Sequence, residues 1–206
     1  MITESLTITA GAPGLRSLIG RTVGLDASSS ARFSQLNDDY VDVFVTTPFE
    51  VIASRRVQGT CSRDGAVVAA SDLLEALNNN TAEVGAARDP NWAGALPPKT
   101  GFQERETLPV TVVRELADQG QELARQFSGP LGPPKSLLDQ TVITIDGDVE
   151  IPMRMIFACT SLGLIPGFSA SMDIPRHLRV STVGRWTRLD APYGSVYRST
   201  RLGLFV

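Results

Sequence analysis

A chain of 206 residues, 42% hydrophobic and 20% charged, has the make-up of an ordinary globular protein, which excludes intrinsic disorder. It is long enough to bury a core without disulfide or metal staples; one domain is the expectation, with two small ones as the alternative. A net charge of −3 argues against binding nucleic acid through the overall field.

In chain order, Ser5–Thr9 reads as a short strand and Pro13–Ile19 as a short helix stopped by Gly20 or Gly24. Asp26–Ser30 is a polar connector. Tyr40–Thr46 and Phe49–Gln58 are rich in β-branched and aromatic residues and predict an antiparallel hairpin across Thr47-Pro48. Ala66–Ala70 predicts a third strand, and Ser71–Leu77 a helix with Ser71 as its cap and Asn78–Asn80 as its end. Ala86–Thr100 reads as a long loop pinned by Trp92, and is the only stretch resembling an interdomain linker.

The firmest local feature is an amphipathic helix over Pro109–Phe127. Val112, Val113, Leu116, Ala117, Gly120, Leu123, Ala124 and Phe127 recur at the spacing of one helical face, and Leu116, Leu123 and Phe127 are expected to be buried on it. GPLGPPKS then forms a rigid loop entering a helical turn. Gln140–Ile145 is a strand, Asp146-Gly147-Asp148 a hairpin turn, and Met153–Leu162 a buried helix or a buried strand, Pro152 at its start and Gly163 at its end favouring the helix. The C-terminus reads as two strands, Leu178–Leu189 and Ser195–Phe205. The fold class is α+β: a mainly antiparallel sheet with one long amphipathic helix packed on it. No internal repeat is legible.

No stretch carries a motif specific enough to name an activity. One histidine and two isolated cysteines leave too few ligands for a zinc or iron site, so no metal and no cofactor are called for. Cys61 and Cys159 are expected to be reduced, as in the cytoplasm. No basic leader precedes Glu4, and the longest apolar run, Met155–Cys159, is too short to span a membrane. Cys159, His177 and Asp173 are the ingredients of a nucleophilic triad, but an apolar setting makes a thiol inert. DGDVE resembles a calcium loop only superficially.

Two features point to anions. Lys135 and Ser136 follow a Gly/Pro-framed turn, and Lys135 is one of only two lysines against 17 arginines. From Asp173 onward, six arginines face two aspartates, with Trp186, Tyr193 and Tyr197 interleaved. The candidate site is therefore anion-binding, built from Lys135 and Ser136 with Arg185 and Arg188 of the C-terminal hairpin. The same hairpin is a possible, less favoured, nucleic-acid platform.

The runs GPPKSLLDQTV, IPMRMIFACTSLG and RLDAPYGSVYR resemble an actinobacterial family of proteins without established activity, over roughly Leu96 to Arg198. The resemblance implies a cytoplasmic bacterial origin and carries over no functional residue. The leading functional expectation is a non-enzymatic interaction protein that self-associates through sheet edges or the apolar Met153–Leu162 region. Its alternatives are an enzyme or binder of an anionic, phosphorylated or carboxylated metabolite, and nucleic-acid binding through the hairpin.

Overall fold

The computed structural model describes residues 2–127 and 133–200. The chain divides into two compact units, Met1–Pro48 with Ile52–Lys99, and Phe49–Val51 with Thr100–Val206. The boundary at Lys99 falls inside the 86–100 segment.

The first unit contains β1 (Thr3–Ala10), α1 (Ala12–Leu25), β2 (Ser30–Gln35), β3 (Tyr40–Thr46), β4 (Ile52–Cys61), β5 (Val67–Ala69), α2 (Ala70–Asn79) and β6 (Glu83–Ala86). Every pairing is antiparallel: β5 with β2, β2 with β3, β3 with β4, β4 with β1, and β1 with β6. Helices α1 and α2 pack on each other, and Leu15, Leu18, Ile19, Phe33 and Leu73 are fully buried. Trp92 is buried, with the Arg32 guanidinium 5.9 Å from its ring centroid, so it pins the 86–100 segment as expected.

The second unit contains β7 (Gln103–Pro109), α3 (Val110–Phe127), α4 (Lys135–Asp139), β8 (Thr141–Ile145), β9 (Val149–Pro152), α5 (Met153–Ser161), β10 (His177–Val183), β11 (Trp186–Ala191) and β12 (Gly194–Ser199). Strands β7, β10, β11 and β12 are antiparallel in that order, and β8 and β9 form a separate hairpin. Asp146 and Gly147 turn that hairpin with φ of 52° and 79°, the left-handed pair a tight two-residue turn needs. Helix α3 packs on α5, and α5 packs on β12.

The two units share a plan that no sequence periodicity announces. In each, a strand runs almost directly into a helix twice: β1 into α1 and β5 into α2, then β7 into α3 and β9 into α5. In each, the two helices so formed pack together.

The α+β class and the mainly antiparallel pairing are as expected. Several boundaries differ for physical reasons. Helix α1 runs through Gly20 and Gly24, since burial of Leu15, Leu18, Ile19 and Thr22 outweighs the roughly 1 kcal/mol each glycine costs. Ser71 is inside α2 rather than capping it. Strands β2, β6 and β7 were not expected. The sequences of β2 and β7, SARFSQ and QERETLP, lack the alternation of a half-buried strand. The C-terminal β region has a further turn at Gly184, giving three strands where two were expected.

The main correction concerns α3. Of the expected face, Val113, Ala117, Gly120 and Ala124 are buried, together with Val110, whereas Leu116, Leu123 and Phe127, expected to be buried, are not. Leu116 is half-buried, Leu123 is 39% exposed and Phe127 68% exposed. A Cβ on Gly120 would lie 2.7 Å from Met153 Sδ and 2.9 Å from Phe157 Cε1, so α5 approaches where α3 presents its smallest side chains.

Candidate functional site

Within the second unit, a polar cavity of about 320 Å³ is lined by Glu50, Lys135, Asp139, Arg154, Arg198 and the end of β12. Arg154 organises it from the second residue of α5. Only 4% of this side chain is exposed, and a buried guanidinium must be hydrogen-bonded and paired. Its Nη1 donates to the Phe49 carbonyl at 2.7 Å and to Glu50 Oε2 at 3.0 Å, while Nη2 donates to Asp139. The hydrogen bond from Arg154 holds the Asp139 carboxyl below its ordinary titration range, with Lys135 and Arg198 adding to the effect.

The two remaining cations are held less tightly. Lys135 opens α4, is largely exposed, and approaches Glu50 Oε1 only to 3.9 Å. Arg198 lies half-buried on β12 with no hydrogen-bond or ion-pair partner among the described residues. Three cations thus face two carboxylates already engaged by Arg154.

Of the predicted anion-site residues, Lys135 lines this cavity and Ser136 does not; Ser136 is exposed on α4. Arg185 sits exposed in the β10–β11 turn, where its carbonyl accepts from Thr200 N at 2.9 Å and from Thr200 Oγ1 at 3.1 Å. Arg188 and Arg198 occupy opposite faces of the sheet. The register pairs Arg188 with Tyr197 and Thr187 with Arg198; paired residues share a face and successive residues alternate. Arg198 shares its face with Leu189 and Val196, both fully buried. Arg188 lies 4.2 Å over the Phe102 ring on the other face, its Nε 2.8 Å from Asp190 Oδ2 but poorly aligned for hydrogen bonding. The hairpin arginine that joins Lys135 is therefore Arg198, and the register of β11 against β12 sets it on the face opposite Arg188.

Of the aromatic residues suggested as a nucleic-acid platform, Trp186 and Tyr193 are half-buried. Tyr197 is buried, with the Phe102 ring edge-on at 6.1 Å and Arg188 stacked on Phe102. Met153–Leu162, expected as a possible self-association surface, is core: Met153 to Cys159 and Leu162 are all buried. The nucleophilic triad does not assemble. Burial pushes the Cys159 thiol up to about 12, whereas His177 and Asp173 are exposed. Asp146 and Asp148 pair with Arg105 at 3.3 and 2.8 Å. Among the described residues no group of three or more acidic, cysteine or histidine side chains is placed to hold a metal ion. No helix among them is long and apolar enough to cross a membrane.

Residues 97–203 match the family described as Domain of unknown function (DUF8185), and the chain belongs to that family. Residues 1–94 match a second, Domain of unknown function (DUF8010). No curated protein matches the sequence. Solved structures do resemble the fold. One is a DnaN sliding clamp, DNA polymerase III subunit beta, from Bartonella birtlesii, with TM-score 0.58 and 12% identity over 98% of this chain and 66% of that one. Others are a putative DNA polymerase III beta subunit from Eubacterium rectale, TM-score 0.57, 10% identity, covering 100% and 67%, and the DNA polymerase III beta chain of Streptococcus pneumoniae, TM-score 0.54, 10% identity, covering 100% and 66%. The chain thus spans about two thirds of the length of these clamps, and at such identity the likeness is one of fold.

Proposed function

We propose that this protein is a non-enzymatic, cytoplasmic interaction protein of actinobacterial origin that associates with further copies of itself. The observation that carries the reading is the likeness to DNA polymerase sliding clamps along nearly the whole chain. The apolar surface supports it. Of the seven large hydrophobic side chains exposed among the described residues, five belong to the second unit: Val112, Leu123 and Phe127 on α3, and Phe168 and Met172 in the loop before β10.

Self-association along the β7 edge is the weaker route. Pro109 offers no N–H there, Thr107 donates its N–H to the Glu106 carboxylate at 2.8 Å, and Arg105 is held by the β8–β9 turn. The helix face is the better one. Sedimentation equilibrium across a hundredfold concentration range should show a concentration-dependent oligomer, weakened by Leu123→Asp with Phe127→Asp. A strict monomer throughout would refute the reading.

A second reading is nucleic-acid binding, favoured by the same likeness, because the solved structures are DNA polymerase subunits. That likeness removes much of the force of the argument from a net charge of −3. Anisotropy of a labelled duplex, titrated at several salt concentrations, tests it: binding that falls steeply with salt supports this reading.

A further inference from the structure

We propose that the cavity of the second unit binds a small oxyanion of the phosphate class, clasped between the Lys135 ammonium and the Arg198 guanidinium. The inference rests on how the five charges are partnered. Arg154 is met by acceptors on two sides and holds both carboxylates, Glu50 through Nη1 and Asp139 through Nη2. Those carboxylates serve a buried cation first, and a buried guanidinium cannot release them without being stranded.

Lys135 and Arg198 are the surplus. Lys135 has a contact at the outer limit of an ion pair, and Arg198 has no hydrogen-bond or ion-pair partner among the described residues. Both border the same cavity, of about 320 Å³, ample for a phosphate or a phosphomonoester head. The net local charge is positive although the whole chain is acidic. A guanidinium offers a planar pair of N–H donors to two oxygens of one anion, and an ammonium adds a flexible point charge. Glu50 works against the ligand, and that gives the proposal a signature.

The site lies within one unit and needs no second copy, so it stands apart from the self-association reading. The test is a titration of the full chain with inorganic phosphate at pH 7.5 by isothermal calorimetry, against sodium chloride at matched ionic strength. Saturable binding is expected for phosphate and none for chloride. Lys135→Gln and Arg198→Gln should each weaken it about tenfold or more, the usual loss for one charged hydrogen bond. Glu50→Gln, which removes the opposing charge and keeps an acceptor for Arg154, should strengthen it. Arg179→Gln, on an exposed β10 position, should leave it unchanged. Phosphate binding that is absent, or equal in Arg198→Gln and the parent chain, overturns the proposal. So does displacement of phosphate by a short oligonucleotide of much higher affinity, since the cavity would then be reading a nucleic-acid backbone.

Discussion

Two residues show how burial decides chemistry in this chain. Cys159 lies fully buried in α5, and desolvation alone raises its thiol to about 12. In the unfolded chain it titrates near its ordinary value of 9.0. Its contribution to stability is therefore complete below pH 9 and is lost as pH climbs through 12. At pH 8 the native protein should leave Cys159 unmodified by a maleimide over hours, and denaturant should expose two free thiols. Rapid native labelling of Cys159 would mean α5 opens to solvent far more readily than its packing allows. Arg154 is the reverse case, and it was legible in principle. It is the only charged residue between Pro152 and Asp173, inside a run read as apolar on all sides. A lone guanidinium in a buried helix must be met by acceptors, and that requirement points to a carboxylate cluster before any coordinates exist. Lys135 was legible from its scarcity and loop setting. Arg198 was not, because choosing it over Arg185 or Arg188 requires the register of β11 against β12.

Helix α3 marks where periodicity helps and where it misleads. The spacing of apolar residues correctly announces a helix over almost its whole length, yet the apolar face it marks is wider than the strip that is buried. Weighting by side-chain size selects Leu116, Leu123 and Phe127; close helix packing selects Val113, Ala117, Gly120 and Ala124, which let α5 approach. The two choices predict opposite mutational profiles. Leu123→Ala should cost under about 1 kcal/mol, since the side chain is 39% exposed, whereas Val113→Ala at a fully buried position should cost about 2 kcal/mol. Gly120→Val should cost about 1–3 kcal/mol through overpacking against Met153 and Phe157. Urea denaturation of the three variants settles the order, and a Leu123→Ala loss above that of Val113→Ala would return the larger residues to the core. Strand β7 was hidden for the related reason that it sits at a sheet border. Its exposed positions carry Gln103, Glu104 and Glu106, so no apolar alternation survives to be read.

The division into units follows contacts rather than chain order, and one short segment exposes the difference. Phe49–Val51 belongs to the second unit although it lies between β3 and β4 of the first. There it is structural. The Phe49 carbonyl and the Glu50 carboxylate supply Arg154 with two of its three acceptors, and the Phe49 ring meets Phe157 at 6.2 Å between centroids. Thr47-Pro48 was legible as a turn, but the membership of the next three residues depends on contacts about a hundred positions away, which no local pattern encodes. The two family matches divide the chain near residues 94–97, so a fragment beginning at Thr100 is the natural piece to express. It should fail to fold alone. Losing the Phe49 ring removes a buried aromatic, a change of a kind that costs about 3–5 kcal/mol. Leaving Arg154 with Asp139 alone adds the penalty of an under-partnered buried charge. Against a typical total of about 5–15 kcal/mol for a domain, and less for one of this size, those losses leave little margin. The amide spectrum of residues 100–206 should therefore be poorly dispersed and its urea transition broad, whereas the intact chain should unfold cooperatively. A well-dispersed fragment with an unfolding midpoint equal to that of the intact chain would show that Arg154 and Phe157 find other partners, and that Phe49–Val51 is dispensable to the unit.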